Sequence, residues 1–286
     1  MNKNIALLFI LLGLALPIFA QQTTVYTEAY EAYKKGNALY DRGVFGKAQR
    51  EFLKTINLLR PTNEAESELL RTKAELNYAK CAVQLNLPDG EKLILDFIRK
   101  TAPDPISNQA LIELATFYFN SKKYDKAIEY YAKVPSSGLS KEVRNEMRFR
   151  LGYALFVKKE FAKAKSNFKL IQADENSIYY HPANYYLGLC NFFEGDYPAA
   201  IKNFRIAEKS KKYSAHIPYY ICQIYFAERQ FEDLIAYATP KSADRSIRKK
   251  EEIHQLIGQS YFELEEYEKA LFYLEYYADR TNKLRE

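Results

Sequence analysis

Small, aromatic and large apolar residues recur along the chain at fixed offsets, and these offsets predict its secondary structure. The small residues stand 34 to 43 positions apart, at Gly36, Ala79, Ala115, Gly152, Gly188, Cys222 and Gly258. Nine positions after the small residue, six of the seven cycles have an aromatic side chain, at Phe45, Tyr124, Phe161, Tyr197, Phe231 and Tyr267. In most cycles alanine follows after twelve positions and a large apolar residue after sixteen. A cycle of this length predicts repeats of one supersecondary unit.

The apolar positions within each cycle favour two helices packed antiparallel. A small residue in the first helix lets its partner approach closely, and the alanine does the same from the second helix. The stretch "EGDYP", residues 194–198, predicts the turn between them: Gly195 ends one helix, Asp196 caps the next, and Pro198 lies in its first turn. One hairpin cannot bury its apolar face alone, so neighbouring hairpins are expected to stack.

This order of small, aromatic, small and large residues resembles the tetratricopeptide repeat, in which each unit is two antiparallel helices. The resemblance implies an all-α chain, a right-handed superhelical solenoid of about seven antiparallel helix-turn-helix units, forming a single domain over residues 21–286. The units are expected near residues 29–62, 72–105, 108–140, 145–178, 181–213, 215–243 and 251–284. Pro240 is expected to shorten the second helix of the sixth unit and to leave a longer loop after it.

The first twenty residues, "MNKNIALLFILLGLALPIFA", have the pattern of a secretory signal peptide. The apolar stretch from Ile5 to Ala20 contains Pro17 and is shorter than the roughly 20 residues that a spanning helix needs. Cleavage after Ala20 is therefore favoured over anchoring. Together with the repeat resemblance, this predicts an exported protein, periplasmic or envelope-associated in a Gram-negative bacterium.

The net charge argues against a nucleic-acid partner, and the positions of the cysteines favour a role in the core. Without residues 1–20 the chain loses Lys3, so 41 basic and 36 acidic residues leave a net charge of +5. This mild excess lacks the dense basic run of a nucleic-acid binder, so no nucleic-acid partner is expected. Cys81, Cys190 and Cys222 are interpreted as small buried apolar residues, and a bridge between the latter two is the one pairing worth testing.

No motif predicts catalysis, a cofactor or a metal. His181, His216 and His254 stand in successive units, and helix axes about 8–10 Å apart would not bring three ligands to one ion. Carboxylates in stretches such as "YFELEEYEKA" follow helical spacing on solvated faces. The basic linkers "EKSKKYS" and "RSIRKKEE" leave two interpretations open, a solvated edge or a site for an anionic partner.

The resemblance also implies a binding surface, because first helices of tetratricopeptide repeats line a concave groove. The residues expected there form a largely aromatic set: Tyr33, Asn37, Tyr40, Phe119, Phe149, Tyr153, Phe156, Tyr185, Phe192, Tyr219, Phe226 and Phe262. They would suit a protein or peptide segment with apolar anchors. The alternative is ordinary packing between repeats. The family's carboxylate clamp is rejected: Asn37 and Asn77 match its asparagines, but its cationic columns hold Tyr33, Gln109 and Glu113.

The last unit has only "ADRTNKLRE" after it, too short for a polar capping helix, so Tyr273, Leu274 and Tyr277 are expected at an uncovered end. A continuing chain, a partner or a second copy would cover them. The sequence thus predicts a non-enzymatic scaffold for protein–protein interaction in the cell envelope. The alternatives are an envelope or outer-membrane assembly factor and a regulatory module of a longer polypeptide.

Overall fold

The computed structural model describes residues 24–283, and the predicted signal peptide lies outside them. Within the described residues the chain forms fourteen helices and no strand, which confirms the predicted all-α class. The helices form seven antiparallel hairpins, as the repeat columns predicted. Odd-numbered helices are called first helices below, and even-numbered helices second helices.

The described residues divide into two compact units, residues 24–138 and residues 139–283. The first contains α1 (24–41), α2 (Phe45–Leu59), α3 (Ala65–Gln84), α4 (Gly90–Thr101), α5 (Pro105–Asn120) and α6 (Tyr124–Ala132). The second contains α7 (Lys141–Val157), α8 (Phe161–Gln172), α9 (Tyr180–Glu194), α10 (Tyr197–Ala207), α11 (Ile217–Ala227), α12 (Phe231–Ser242), α13 (Lys250–Glu263) and α14 (Tyr267–Lys283). The single domain over residues 21–286 and its repeat boundaries remain predictions.

Within each compact unit, hairpins stack because a second helix that is followed by another hairpin of that unit packs on its own first helix and on the next one. In the second compact unit, for example, α8 contacts α7 and α9, and α12 contacts α11 and α13. First helices also contact each other directly, as α3 does with α5 and α7 with α9. They therefore form a layer within each unit, which we call the first-helix layer.

The "EGDYP" turn forms as predicted. Gly195 ends α9 in the left-handed region, with φ of 79°. The Asp196 side chain accepts a hydrogen bond from the backbone N–H of Ala199, so it caps α10, and Pro198 lies in the first turn of that helix. A proline there removes no intrahelical hydrogen bond.

The prediction for Pro240 is wrong. Helix α12 continues through Pro240 and ends at Ser242, giving it twelve residues. Proline disrupts a helix by losing one hydrogen bond and crowding the preceding turn, and this cost is tolerated here two residues before the helix end. The loop that follows, residues 243–249, is shorter than the loop 208–216 of the preceding repeat.

No helix among residues 24–283 combines the length and the apolar character that crossing a bilayer requires.

Candidate functional site

In the first compact unit, the first-helix layer has a hydrogen-bonded polar network. The Asn77 side-chain amide on α3 donates to the Asn37 Oδ1 at 3.0 Å and to the Tyr33 hydroxyl at 3.4 Å, both on α1. The two asparagines that match the family's carboxylate clamp therefore form a hydrogen bond with each other. Tyr33 also packs its ring 5.8 Å from that of Phe52 on α2.

A second group of polar side chains in the same layer connects α3 to α5. The Lys80 Nζ lies 2.8 Å from Glu113 Oε1 and 5.0 Å from the centre of the Tyr40 ring. Burial, together with the nearby Glu113 charge, raises the pKa of Tyr40 to about 12, so its hydroxyl stays protonated at neutral pH. Lys80 thus neutralises a carboxylate within the layer.

An open cleft lies between α3 and α5 in the same unit. Its walls include Leu69, Thr72 and Lys73 of α3 and Ile106 and Gln109 of α5. Leu69 is 56% exposed although it is apolar. This cleft combines apolar and polar groups on first helices.

Half of the predicted groove residues lie in the last turn of a first helix and pack across the hairpin turn. Each contacts the aromatic residue that begins the following second helix, with ring centroids 5.1 to 6.2 Å apart. The pairs are Tyr40 with Phe45, Phe119 with Tyr124, Phe156 with Phe161, Phe192 with Tyr197, Phe226 with Phe231, and Phe262 with Tyr267. These six side chains therefore stabilise the turns, and Phe262 is the most exposed of them.

In the second unit, Phe149 and Tyr153 of α7 meet at Tyr186 of α9. The Tyr186 ring lies 5.9 Å from Phe149, 5.2 Å from Tyr153 and 5.7 Å from Phe168, on which it stacks. The repeat columns gave Tyr186 no role. A signal was present, because Tyr220 stands at the same offset before its small residue and stacks on Phe204 in the same way.

Tyr185 and Tyr219 complete the predicted set on α9 and α11. Tyr185 stacks on Tyr213 at 4.6 Å, and burial raises the pKa of its hydroxyl. The Tyr219 hydroxyl accepts a hydrogen bond from Gln223 Nε2 at 3.0 Å, and the Lys249 Nζ lies 4.4 Å from the ring centre. Tyr153, Tyr185 and Tyr219 are all half-buried, so each keeps accessible surface.

Within residues 24–283, no group of three His, Cys, Asp or Glu side chains is close enough to hold a metal ion. His254 is buried, stacks on Tyr276 at 4.1 Å and places Nδ1 2.8 Å from the Lys250 carbonyl oxygen. Burial lowers its pKa, so the ring is neutral near pH 7. The His181 Nδ1 makes a contact of the same kind with the Ile206 carbonyl oxygen.

The carboxylate whose pKa is shifted furthest belongs to a hydrogen-bonded cluster that joins three helices. Glu91 accepts hydrogen bonds from Lys126, Tyr118 and Tyr130, joining α4 to α5 and α6. Partial burial alone would raise the pKa of Glu91, but these three bonds outweigh it and hold the pKa at about 2. All three hydrogen bonds come from the following repeat, so the geometry accounts for Glu91 as a connection between helices.

No family model and no curated protein matches the sequence. Solved structures do match. A tetratricopeptide repeat protein from Parabacteroides merdae is 14% identical over 88% of this chain and 93% of its own, with a TM-score of 0.50. PilF of Pseudomonas aeruginosa is 13% identical over 76% of this chain and 91% of its own, with a TM-score of 0.51. MamA of AMB-1 is 21% identical over 65% of this chain and 93% of its own, with a TM-score of 0.46.

The chain therefore has the fold of the tetratricopeptide repeat proteins, as the spacing of its small and aromatic residues predicted. At these identities the likeness concerns the fold.

Proposed function

We propose that this tetratricopeptide-repeat chain is a non-enzymatic scaffold that binds a segment of another protein on its first-helix layer. The observation that carries the proposal is that successive first helices present half-buried tyrosines, Tyr153, Tyr185 and Tyr219. These tyrosines come from three first helices of the second unit, α7, α9 and α11, and all are half-buried.

Tyrosine suits this role because it combines a large apolar ring with a polar tip and loses little rotamer entropy on binding. In this chain the rings are already held in place. Tyr153 packs against Tyr186, Tyr185 stacks on Tyr213, and Tyr219 is bonded to Gln223. A partner segment would therefore meet a preorganised surface, which reduces the entropic cost of association.

The first compact unit supports the proposal through hydrogen-bonding groups and an exposed apolar side chain. Tyr33 and Asn37 take part in the Asn77 network, and the cleft between α3 and α5 exposes Leu69. We assign the binding of a peptide backbone or polar side chains to this layer, because amide groups both donate and accept hydrogen bonds.

The envelope location belongs to the same proposal. It rests on the signal-like residues 1–20, which predict cleavage before Gln21. An envelope assembly factor and a regulatory module of a longer polypeptide remain the alternative roles. Catalytic motifs in adjoining coding sequence would favour the regulatory module.

The C-terminal helix supports self-association as a further part of this proposal. On α14, Tyr267, Leu271 and Phe272 are exposed, with Phe272 at 67%. Tyr273, Leu274 and Tyr277, which the sequence placed at the uncovered end, are instead half-buried, and Leu274 packs beside Gly258. A second copy covering the exposed α14 residues would remove this apolar surface from water.

The binding proposal is tested by recovering partners from envelope extract with the chain from Gln21 onward. We expect Tyr153→Ala and Tyr219→Ala to reduce recovery of the partner about tenfold, the loss typical of one interface anchor. Tyr185→Phe retains the ring that stacks on Tyr213 but removes the hydroxyl. This variant therefore distinguishes the contribution of the ring to binding from that of the hydroxyl.

Leu170→Ala is the control, because Leu170 is an exposed apolar residue on the second helix α8 and so lies outside the first-helix layer. Circular dichroism must give the same helix content for all variants. Undiminished recovery with folded Tyr153→Ala and Tyr219→Ala would refute the proposed surface. Light scattering on the same samples measures whether the chain self-associates, as proposed for α14.

A further inference from the structure

Two basic loops that are far apart in sequence are joined in the second compact unit. The first is residues 208–216, between α10 and α11, and the second is residues 243–249, between α12 and α13. The backbone N–H of Arg248 donates to the carbonyl oxygen of Ala215 at 2.8 Å. The two linkers that the sequence showed separately therefore form one surface.

Six cationic side chains on these loops are exposed: Lys209, Lys211, Lys212, Arg245, Arg248 and Lys249. We call them the basic loop surface. In the part of the chain that the structure describes, only Lys249 among them has a salt bridge, to Glu252 at 3.9 Å. An exposed pair at that distance contributes little. The surface thus has a concentration of positive charge with almost no internal compensation.

The acidic residues within the same loops are engaged elsewhere. Glu208 accepts from the Tyr237 hydroxyl at 2.7 Å and pairs with Lys241 at 2.7 Å. The Asp244 carboxylate accepts from the backbone N–H of Ser246 at 2.8 Å, and backbone hydrogen bonding at Ser246 lowers its pKa. Neither carboxylate is paired with the six exposed cations.

The basic loop surface adjoins the tyrosines of the proposed binding layer. Lys249 extends over the Tyr219 ring at 4.4 Å, and Lys212 lies 5.6 Å from the ring centre of Tyr213. Tyr213 is buried and stacks on Tyr185. Cations and aromatic rings thus meet at the start of α11 and α13.

We propose that the basic loop surface binds an acidic segment of the partner protein, while the neighbouring tyrosines receive its apolar side chains. This inference rests on the proposed function and specifies the chemistry of the partner. Complementary charge accelerates encounter and selects the partner, and the tyrosines supply contact area.

The observations favour an acidic protein segment over a membrane or a nucleic acid. Between Phe193 and Phe262 no large apolar side chain of the described chain is exposed. Surfaces that bind lipid combine basic residues with apolar side chains that enter the bilayer. Single-stranded nucleic acids need accessible aromatic rings for stacking, whereas Tyr213, the ring beside Lys212, is buried.

The test uses a fluorescent peptide of alternating glutamate and leucine as the probe, with fluorescence anisotropy as the readout. We expect the chain from Gln21 onward to bind the peptide at low salt. On the order of 1 M salt reduces the Debye length to about 3 Å and should abolish binding. The double variant Lys212→Glu with Arg248→Glu, which reverses one charge on each loop, should weaken binding at least about tenfold.

The matched control is Lys169→Glu with Lys202→Glu, which changes the net charge equally on the second helices α8 and α10. Both control lysines are exposed. Retained affinity in this control supports a localised site. An equal loss in both double variants, or no binding of the peptide by the unmodified chain, overturns the proposal.

Two further probes decide the partner class. Tighter binding of phosphatidylglycerol vesicles or of a single-stranded oligonucleotide than of the acidic peptide would overturn the assignment to a protein segment. The pull-down separates this inference from the proposed function. If partner recovery depends on Tyr219 but not on Lys212 and Arg248, the scaffold proposal survives and the acidic-segment proposal falls.

Discussion

Individual residues set the distance between helices by matching a small side chain to a large one. A Cβ built on Gly36, Gly152 or Gly188 would lie 2.5 to 2.7 Å from the ring of Phe52, Phe168 or Phe204, respectively. Each aromatic ring thus occupies the space that a methyl group would need. At the sixth repeat the sizes change together, because the small position is Cys222 and the large one is Ala238. The larger residue at the small position is thus accompanied by a smaller one at the large position within the same core cluster, as close packing favours.

Gly188→Ala tests this match. The new Cβ would meet Phe204 Cδ1 at 2.5 Å, and Phe204 is fully buried and cannot move away easily. Overpacking costs about 1–3 kcal/mol, which exceeds the gain of up to about 1 kcal/mol from better helix propensity. We expect a net loss of about 1 kcal/mol in the free energy of unfolding, measured by urea denaturation.

Gly46→Ala is the control for Gly188→Ala. A Cβ at Gly46 has no neighbour within 4 Å, so only the propensity gain remains. We expect this variant to be as stable as the parent or more stable by about 0.5 kcal/mol. A Gly188→Ala chain that gains the same amount would contradict the packing account.

The turns of the helical hairpins all have the same backbone conformation. Seven positions after each small residue, the backbone enters the left-handed region, at Gly43, Asn86, Lys122, Lys159, Gly195, Arg229 and Glu265. At each turn this residue donates to the carbonyl oxygen three positions back, and the next residue donates to the one five positions back, as Gly195 and Asp196 do to Phe192 and Asn191. This is the Schellman motif, which satisfies the last carbonyl groups of a helix.

A pair of substitutions tests the turn. Gly195→Ala places a Cβ where nothing lies within 4 Å, so its cost is purely conformational and should be about 1 kcal/mol. Lys159→Gly relieves the same strain at φ of 61° and should raise the free energy of unfolding by about 0.5 kcal/mol. Thermal and urea unfolding measure both. Equal effects of the same sign would show that backbone conformation does not govern these positions.

Across the whole chain the three cysteines are buried and free. Cys81 belongs to the first compact unit, and Cys190 and Cys222 belong to the second. The bridge between Cys190 and Cys222 that the sequence left for testing is not formed. Burial is the largest cause that raises the pKa of each thiol, to about 12, so the reactive thiolate is scarce at neutral pH.

The native chain should therefore resist thiol reagents. We expect Ellman's reagent to label none of the three cysteines in buffer and all three after unfolding in guanidinium chloride. Rapid labelling of the native chain would contradict the burial. Fewer than three thiols in the unfolded chain, restored by a reductant, would reveal a disulfide.

The candidate site was predictable only in part. The groove residues that the tetratricopeptide resemblance implied lie on first helices, but the resemblance and helical spacing could not say what each ring touches. Phe192 and Phe226 pack on the residues that begin α10 and α12. Tyr186 connects α9 to α7 and α8 although the columns assigned it no role. These contacts depend on side-chain directions and on the neighbouring repeat, which a single helical period does not contain.

The sequence by itself determined the all-α class, the hairpin repeat and the turn at Gly195, because periodicity, small residues and glycine act through local geometry. Only the tertiary structure decided that Lys122, Lys159, Arg229 and Glu265 adopt the same left-handed conformation, since these residue types have no preference for it. It also decided that residues 208–216 and 243–249 meet through Arg248 and Ala215. Stacking of repeats brings such distant segments together, so their combined charge exists only in the folded chain.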